Sequence, residues 1–137
     1  MDTIARTRTG PVEGRVKEDV LFFAGIPYAA PPIGALRFEA PRAHEGWRQT
    51  LSATRIGNAA LQNAGAGLTS SPPRRMHEDC LSLNVTTPAL DGAGRPVLVW
   101  IHGGGFRTGQ GGIPWYNATS FAKRGDIVSV SINYRLG

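Results

Sequence analysis

The sequence predicts an α/β fold with a mostly parallel central sheet, and three observations predict it. Residues 97–101 are an unbroken apolar run rich in β-branched and aromatic residues, bounded by Pro96 and by Gly103-Gly104-Gly105. Such a run reads as a strand buried on both faces. A helical stretch at 117–124 and a second apolar strand at 127–132 follow, so the order strand, loop, helix, strand describes a parallel crossover. Upstream, short segments around Gly10-Pro11 and Gly14 read as a small β-hairpin followed by a short strand.

In chain order, residues 1–5 read as a frayed end. Residues 7–17 alternate weakly around Gly10-Pro11 and Gly14 and read as a small β-hairpin. Residues 20–23 make a short strand. Residues 25–32 contain Pro27, Pro31 and Pro32, which fix φ and remove donors; this is an ordered loop with Ile26 and Tyr28 turned inward. Trp47 is a core anchor. Residues 57–77 are rich in Gly, Ala, Ser, Asn and Pro; within them Gly65-Ala66-Gly67 and Ser70-Ser71-Pro72-Pro73 mark a mobile loop, and His77 reads as a loop histidine. Leu81, Leu83 and Val85 alternate with Ser82, Asn84 and Thr86, the pattern of a half-buried strand. Pro88 ends it, a turn follows at 91–94, and with the strand from Pro96 this makes a hairpin feeding the central sheet. Residues 109–114 read as flexible. Trp115 and Tyr116 either pack under the preceding loop or line a wall beside it. The helix at 117–124 takes Asn117 or Thr119 as its cap and turns Phe121 and Ala122 inward. Lys123 and Arg124 suit its negative end, and Gly125 the residue after it.

The loop after the apolar run carries the chemistry. Three consecutive glycines cost conformational entropy and are useful where the backbone must turn tightly and aim its own N–H groups at a ligand. A phosphate-binding loop needs a lysine and a hydroxyl residue after the glycine spacing; Gln110-Gly111 stand there instead. An oxyanion hole of the HGGG type, placed after a strand of an α/β-hydrolase sheet, needs what is present: His102-Gly103-Gly104-Gly105-Phe106.

Four further motifs stand around it in order: Gly25-Ile26-Pro27-Tyr28-Ala29-Ala30-Pro31-Pro32, Leu36-Arg37-Phe38, the segment from Glu78-Asp79-Cys80-Leu81 to Val85, and the segment from Ser131 through Asn133-Tyr134-Arg135 to Gly137. Together with the glycine loop they resemble the type-B carboxylesterase family, which includes the cholinesterases and bacterial carboxylesterases. The resemblance runs from about Thr7 to Gly137. It implies that residues 1–137 are the incomplete N-terminal part of a single α/β-hydrolase domain: a small antiparallel flap and the first strands of the central sheet.

The resemblance also implies roles. Gly104 and Gly105 are expected to give backbone N–H groups to an oxyanion, with His102, Gly103 and Phe106 supporting the loop. Arg37 is expected to meet Glu78 in a buried ion pair whose loss would cost about 3–5 kcal/mol. Arg135 is expected to pair with an acid downstream. The family's nucleophile sits in Gly-x-Ser-x-Gly, and the acid and histidine follow it in chain order. None of the seven serines has that setting. The expected activity is therefore carboxylic-ester hydrolysis on a small-molecule ester, through a serine acyl-enzyme, with this chain supplying the oxyanion loop but no triad and inactive alone. The competing expectations are a cholinesterase-like binding or adhesion protein without catalysis, and a gene remnant. A Gly-x-Ser-x-Gly segment after Gly137 separates them.

Composition narrows the partners. The formal charge is +5, yet Lys17 and Lys123 are the only lysines and the arginines stand singly except Arg74-Arg75. No basic run or face suggests nucleic acid. A single cysteine and three separated histidines lack metal-ligand spacing, and no cofactor is implied. No apolar stretch is long enough to span a bilayer, and residues 1–20 carry no apolar signal core. In secreted members of the resembled family the equivalent of Cys80 pairs with an upstream cysteine, whose place within 58–62 holds none here. The chain is read as cytoplasmic, and the sequons at Asn84 and Asn117 as chance.

Overall fold

The computed structural model describes residues 1–63 and 75–137; the loop signals at Gly65–Gly67 and Ser70–Pro73 lie outside the described residues. Eight strands and one α-helix lie along them: β1 (Ile4–Thr7), β2 (Gly10–Glu13), β3 (Arg15–Lys17), β4 (Val20–Pro27), β5 (Leu51–Ser52), β6 (Ser82–Thr87), β7 (Val97–Ile101), α1 (Thr119–Gly125) and β8 (Val128–Ile132). They form a three-stranded sheet in the order β1-β2-β5 and a five-stranded sheet in the order β3-β4-β6-β8-β7.

The expected single hairpin at 7–17 is two hairpins in different sheets. β1 pairs antiparallel with β2, and β3 with β4. Gly14 is the break: its N–H reaches back to the Thr3 carbonyl at 2.8 Å, so the chain turns out of one sheet and into the other. The end at 1–5 is therefore tied down from Ile4 onward rather than frayed.

β4 joins the two sheets and is longer than the four residues expected. Its register against β6 shifts between Phe23 and Ile26, which frees two N–H groups. That of Ala24 goes to the Ala53 carbonyl at 2.7 Å; that of Gly25, at φ +72°, goes to Asn84 Oδ1 at 3.0 Å. Between the sheets Val12, Leu21, Phe23 and Ala53 are buried, with Ala5, Ile26, Trp47 and Val85 packed on them. Trp47 also donates from Nε1 to the Pro11 carbonyl at 2.7 Å. A second cluster gathers Ala29, Ala60, Cys80 and Leu81.

The hairpin expected between the strands at 81–86 and 97–101 does not form. β8 lies between them, antiparallel to β6 and parallel to β7. The pairing of β7 with β8, from Val97 on Val128 to Ile101 on Ile132, is the parallel crossover carried by α1. This order corrects the burial of β7. Among the described residues it is an edge strand, with all five of its residues exposed, Val97 at 60% and Ile101 at 64%. β6 departs from its pattern too: Asn84 and Thr86 are buried while Leu83 and Val85 are only partly so. Asn84 is inside because its carboxamide satisfies backbone groups that the bulge and the next loop leave open.

α1 starts two residues later than its sequence pattern. Asn117 Oδ1 accepts the Thr119 N–H at 3.2 Å and its hydroxyl at 2.7 Å. Ala122 is fully buried as expected, but Phe121 is 58% exposed. Gly125 stays helical, and Asp126 takes the left-handed conformation instead, at φ +49°. Its carboxylate is held by Arg95 at 2.6 Å, and Arg95 also pairs with Asp91, closing the turn before β7. Among the described residues no helix is long and apolar enough to cross a membrane.

Candidate active-site loop

The loop between β7 and α1 is shaped by its own carbonyls. His102 is buried, and its Nδ1 lies 2.9 Å from the Gly103 carbonyl. A carbonyl only accepts, so Nδ1 carries the proton. The Gly104 carbonyl accepts from the Arg107 and Thr108 N–H groups at 3.1 and 3.2 Å. A peptide group is planar and trans: fixing the Gly103 carbonyl aims the Gly104 N–H the opposite way, and fixing the Gly104 carbonyl does the same for the Gly105 N–H. Among the described residues, neither of these N–H groups has an acceptor. The loop holds two donors in place and leaves them unused.

Glycine is required for two different reasons. Gly104 has φ +126°, and a Cβ on it would collide with the Thr108 carbonyl. Gly105 has φ +60° with nothing near a Cβ, so conformation alone selects it. Phe106 follows at φ +59°, a left-handed value that a bulky residue seldom adopts. Its carbonyl accepts the Gly137 N–H at 2.8 Å, and its ring meets that of Tyr134 edge-on at 6.0 Å.

Tyr134 supports the loop from beneath. Its ring stacks on His102 at 4.3 Å, and its hydroxyl donates to the His102 carbonyl at 2.5 Å. Burial holds the His102 imidazole below its ordinary pKa, against a smaller upward pull from the Gly103 carbonyl. His102 is thus a neutral support whose ring position is fixed on both sides.

The stretch after the loop is not flexible as its glycines suggest. The Gly111 N–H reaches Asn133 Oδ1 at 2.6 Å, and the Gly111 carbonyl accepts from the Ser131 hydroxyl at 2.8 Å. A Cβ on Gly111 would meet the Ile132 carbonyl at 2.7 Å. Gly111 admits close backbone approach to β8, while a Cβ on Gly112 would collide with the Ile56 side chain. Asn133 continues the network, donating to the Asn58 carbonyl at 2.9 Å and accepting on its own carbonyl from Tyr28 at 2.6 Å. Asn84, Ser131, Asn133 and Gln62 are loop supports that sequence reasoning missed. Polarity within a strand pattern signalled Asn84 and Ser131, whereas Asn133 follows β8 and Gln62 lies outside any strand. Trp115 is 78% exposed, while Tyr116 packs on Trp100 at 5.2 Å.

Arg37 does meet Glu78, Nε to Oε1 at 2.5 Å, but their side chains are 55% and 33% exposed. The pair is not buried within this chain, and the stability argument for a buried pair does not apply to it. Arg135 donates to the Glu39 carbonyl at 2.9 Å. His77 is exposed, its Nδ1 accepting the Asp79 N–H at 2.9 Å. Cys80 is buried and free, and burial pushes its thiol pKa up. Among the described residues, no group of three or more His, Cys, Asp or Glu could hold a metal.

Comparison with known proteins identifies the family. The model of the carboxylesterase family matches residues 1–137. The chain is 48% identical over 140 residues to phenmedipham hydrolase of Pseudarthrobacter oxydans, covering 98% of this chain and 28% of that protein. It is 41% identical over 135 residues to para-nitrobenzyl esterase of Bacillus subtilis, with the same two coverages. The crystal structure of a Geobacillus stearothermophilus carboxylesterase superposes with a TM-score of 0.89 at 44% identity, covering 98% of this chain and 26% of that one. The chain thus spans about 28% of the length of the curated relatives it matches. A strand ending in a glycine loop with two unused donors, matched along its whole length by that family's model, makes this chain a member of the carboxylesterase family.

Proposed function

We propose that the native protein carrying residues 1–137 is a carboxylic-ester hydrolase working through a serine acyl-enzyme, and that these residues are the N-terminal part of one α/β-hydrolase domain. In this reading the backbone N–H groups of Gly104 and Gly105 receive the oxyanion that forms when the serine attacks the ester carbonyl. Donors fixed before the reaction need no reorganisation as charge develops, and each is worth about 2.7–4 kcal/mol in the transition state. The observation that carries the proposal is that pair of N–H groups, held by pinned carbonyls and without acceptors among the described residues.

The nucleophile, its acid and its histidine are supplied from outside these residues, since no serine here lies in Gly-x-Ser-x-Gly. Residues 1–137 alone have no activated nucleophile and hydrolyse no ester. The substrate class is a small-molecule ester, and a para-nitrobenzyl ester is the test substrate that one relative's name suggests. The test compares the native protein with its Gly104→Val variant. The expected result is hydrolysis by the first and none by the second, with both folded by circular dichroism. Near-normal turnover in the variant overturns the assignment.

A further inference from the structure

We infer that Gln62 is a positioning residue for the oxyanion loop, acting through Gly109; the inference rests on the reading of Gly104 and Gly105 as oxyanion donors. The Gln62 carboxamide takes both polar groups of Gly109: Oε1 accepts its N–H at 2.8 Å, and Nε2 donates to its carbonyl at 2.9 Å. The second amide hydrogen of Nε2 goes to the Ala60 carbonyl at 3.1 Å. Three hydrogen bonds to main chain give the side chain one orientation and tie residue 109 to a segment 47 positions away.

Gly109 is where such a tie acts on the donors. At φ +118° its Cα stands so close to His102 Nδ1 that a Cβ would overlap the ring, and that Cβ would lie 2.6 Å from the Gly103 carbonyl. That carbonyl belongs to the same rigid peptide as the Gly104 N–H. The position of Gly109 therefore limits how far the Gly103–Gly104 peptide can rotate, and Gln62 fixes the position of Gly109. Releasing the clamp lets that peptide turn, so the donor no longer waits at one angle. Ground-state binding of substrate, which does not depend on this donor, stays the same.

The experiment uses the native protein with Gln62→Leu and Gln62→Glu, read by ester kinetics across pH and by hydrogen–deuterium exchange over residues 103–109. The expected result for Gln62→Leu is faster exchange in that segment and a kcat lower by about ten- to a hundredfold, part of the effect of losing a whole donor, with KM little changed. At neutral pH the Gln62→Glu carboxylate faces the Gly109 and Ala60 carbonyls without a proton to offer. Its kcat relative to the parent is expected to recover as pH falls and the carboxyl regains a donor; a purely structural role does not produce that recovery. Unchanged exchange and kcat in Gln62→Leu overturn the inference. Faster exchange in Gln62→Leu, when the parent protein itself hydrolyses no ester, supports the clamp and overturns the hydrolase reading instead.

Discussion

The carbonyl of Thr108 occupies the space that a Cβ on Gly104 would need, whereas the neighbouring Gly105 opens onto empty space. The two glycines of one motif therefore tolerate substitution differently. Gly104→Ala must push the Thr108 carbonyl away and undo the turn that aims the Gly105 N–H. Gly105→Ala meets only the left-handed backbone penalty of about 1–2 kcal/mol. In the native protein, kcat toward a para-nitrobenzyl ester should fall by about 10²–10³ for Gly104→Ala and clearly less for Gly105→Ala. The reverse order would contradict the geometry of the loop.

His102 gives the loop a pH dependence of defined sign. Burial lowers its folded pKa below the ordinary value, so the unfolded chain binds the proton more readily. The stability contributed by neutral His102 is fully present above about pH 6.5 and is lost as pH falls through 6.5 toward the folded pKa. Urea midpoints should decline over that window in the parent and less in His102→Gln. Equal declines would remove His102 as the cause.

The Arg37–Glu78 pair should contribute little. Both partners remain solvated here, and exposed pairs are worth about 0–1 kcal/mol. Arg37→Met should shift stability by no more than that, and added salt should shrink the difference. A loss of several kcal/mol would mean that the native protein desolvates the pair.

β7 should make the isolated chain associate. Among the described residues it has an unpaired strand edge, with Val97, Leu98, Val99, Trp100 and Ile101 all exposed, an invitation to edge-to-edge pairing. Light scattering of residues 1–137 should report self-association, and Val99→Lys should suppress it. A monodisperse monomer at micromolar concentration would speak against an open edge.

The loop and its neighbours were legible because their signals are local. Three glycines after an apolar run and the strand read at 127–132, found at Val128–Ile132, are each read from adjacent residues. What was missed depends on partners far along the chain. β8 entering between β6 and β7 defeats the default that consecutive strands pair. Asn84 looks like the solvent side of β6 until the bulge at Gly25 and the carboxamide of Asn84 meet. Gln62 carries no local sign that its partner is Gly109. The glycines at 109–112 look flexible because sequence reports their freedom and not the backbone packed against them. Phe121 failed for a plainer reason: a short helix lying across β4, β6 and β8 buries a narrow stripe, and Ala122 with Thr119 already fills it.

The central claim is that these residues serve an ester hydrolase with a serine nucleophile. Fluorophosphonate labelling of the native protein, read by intact mass, tests it most directly. The account predicts one covalently labelled species several times heavier than 14.6 kDa, with labelling slowed by Gly104→Val. A native protein of any mass that folds, carries this loop and takes up no label would contradict it.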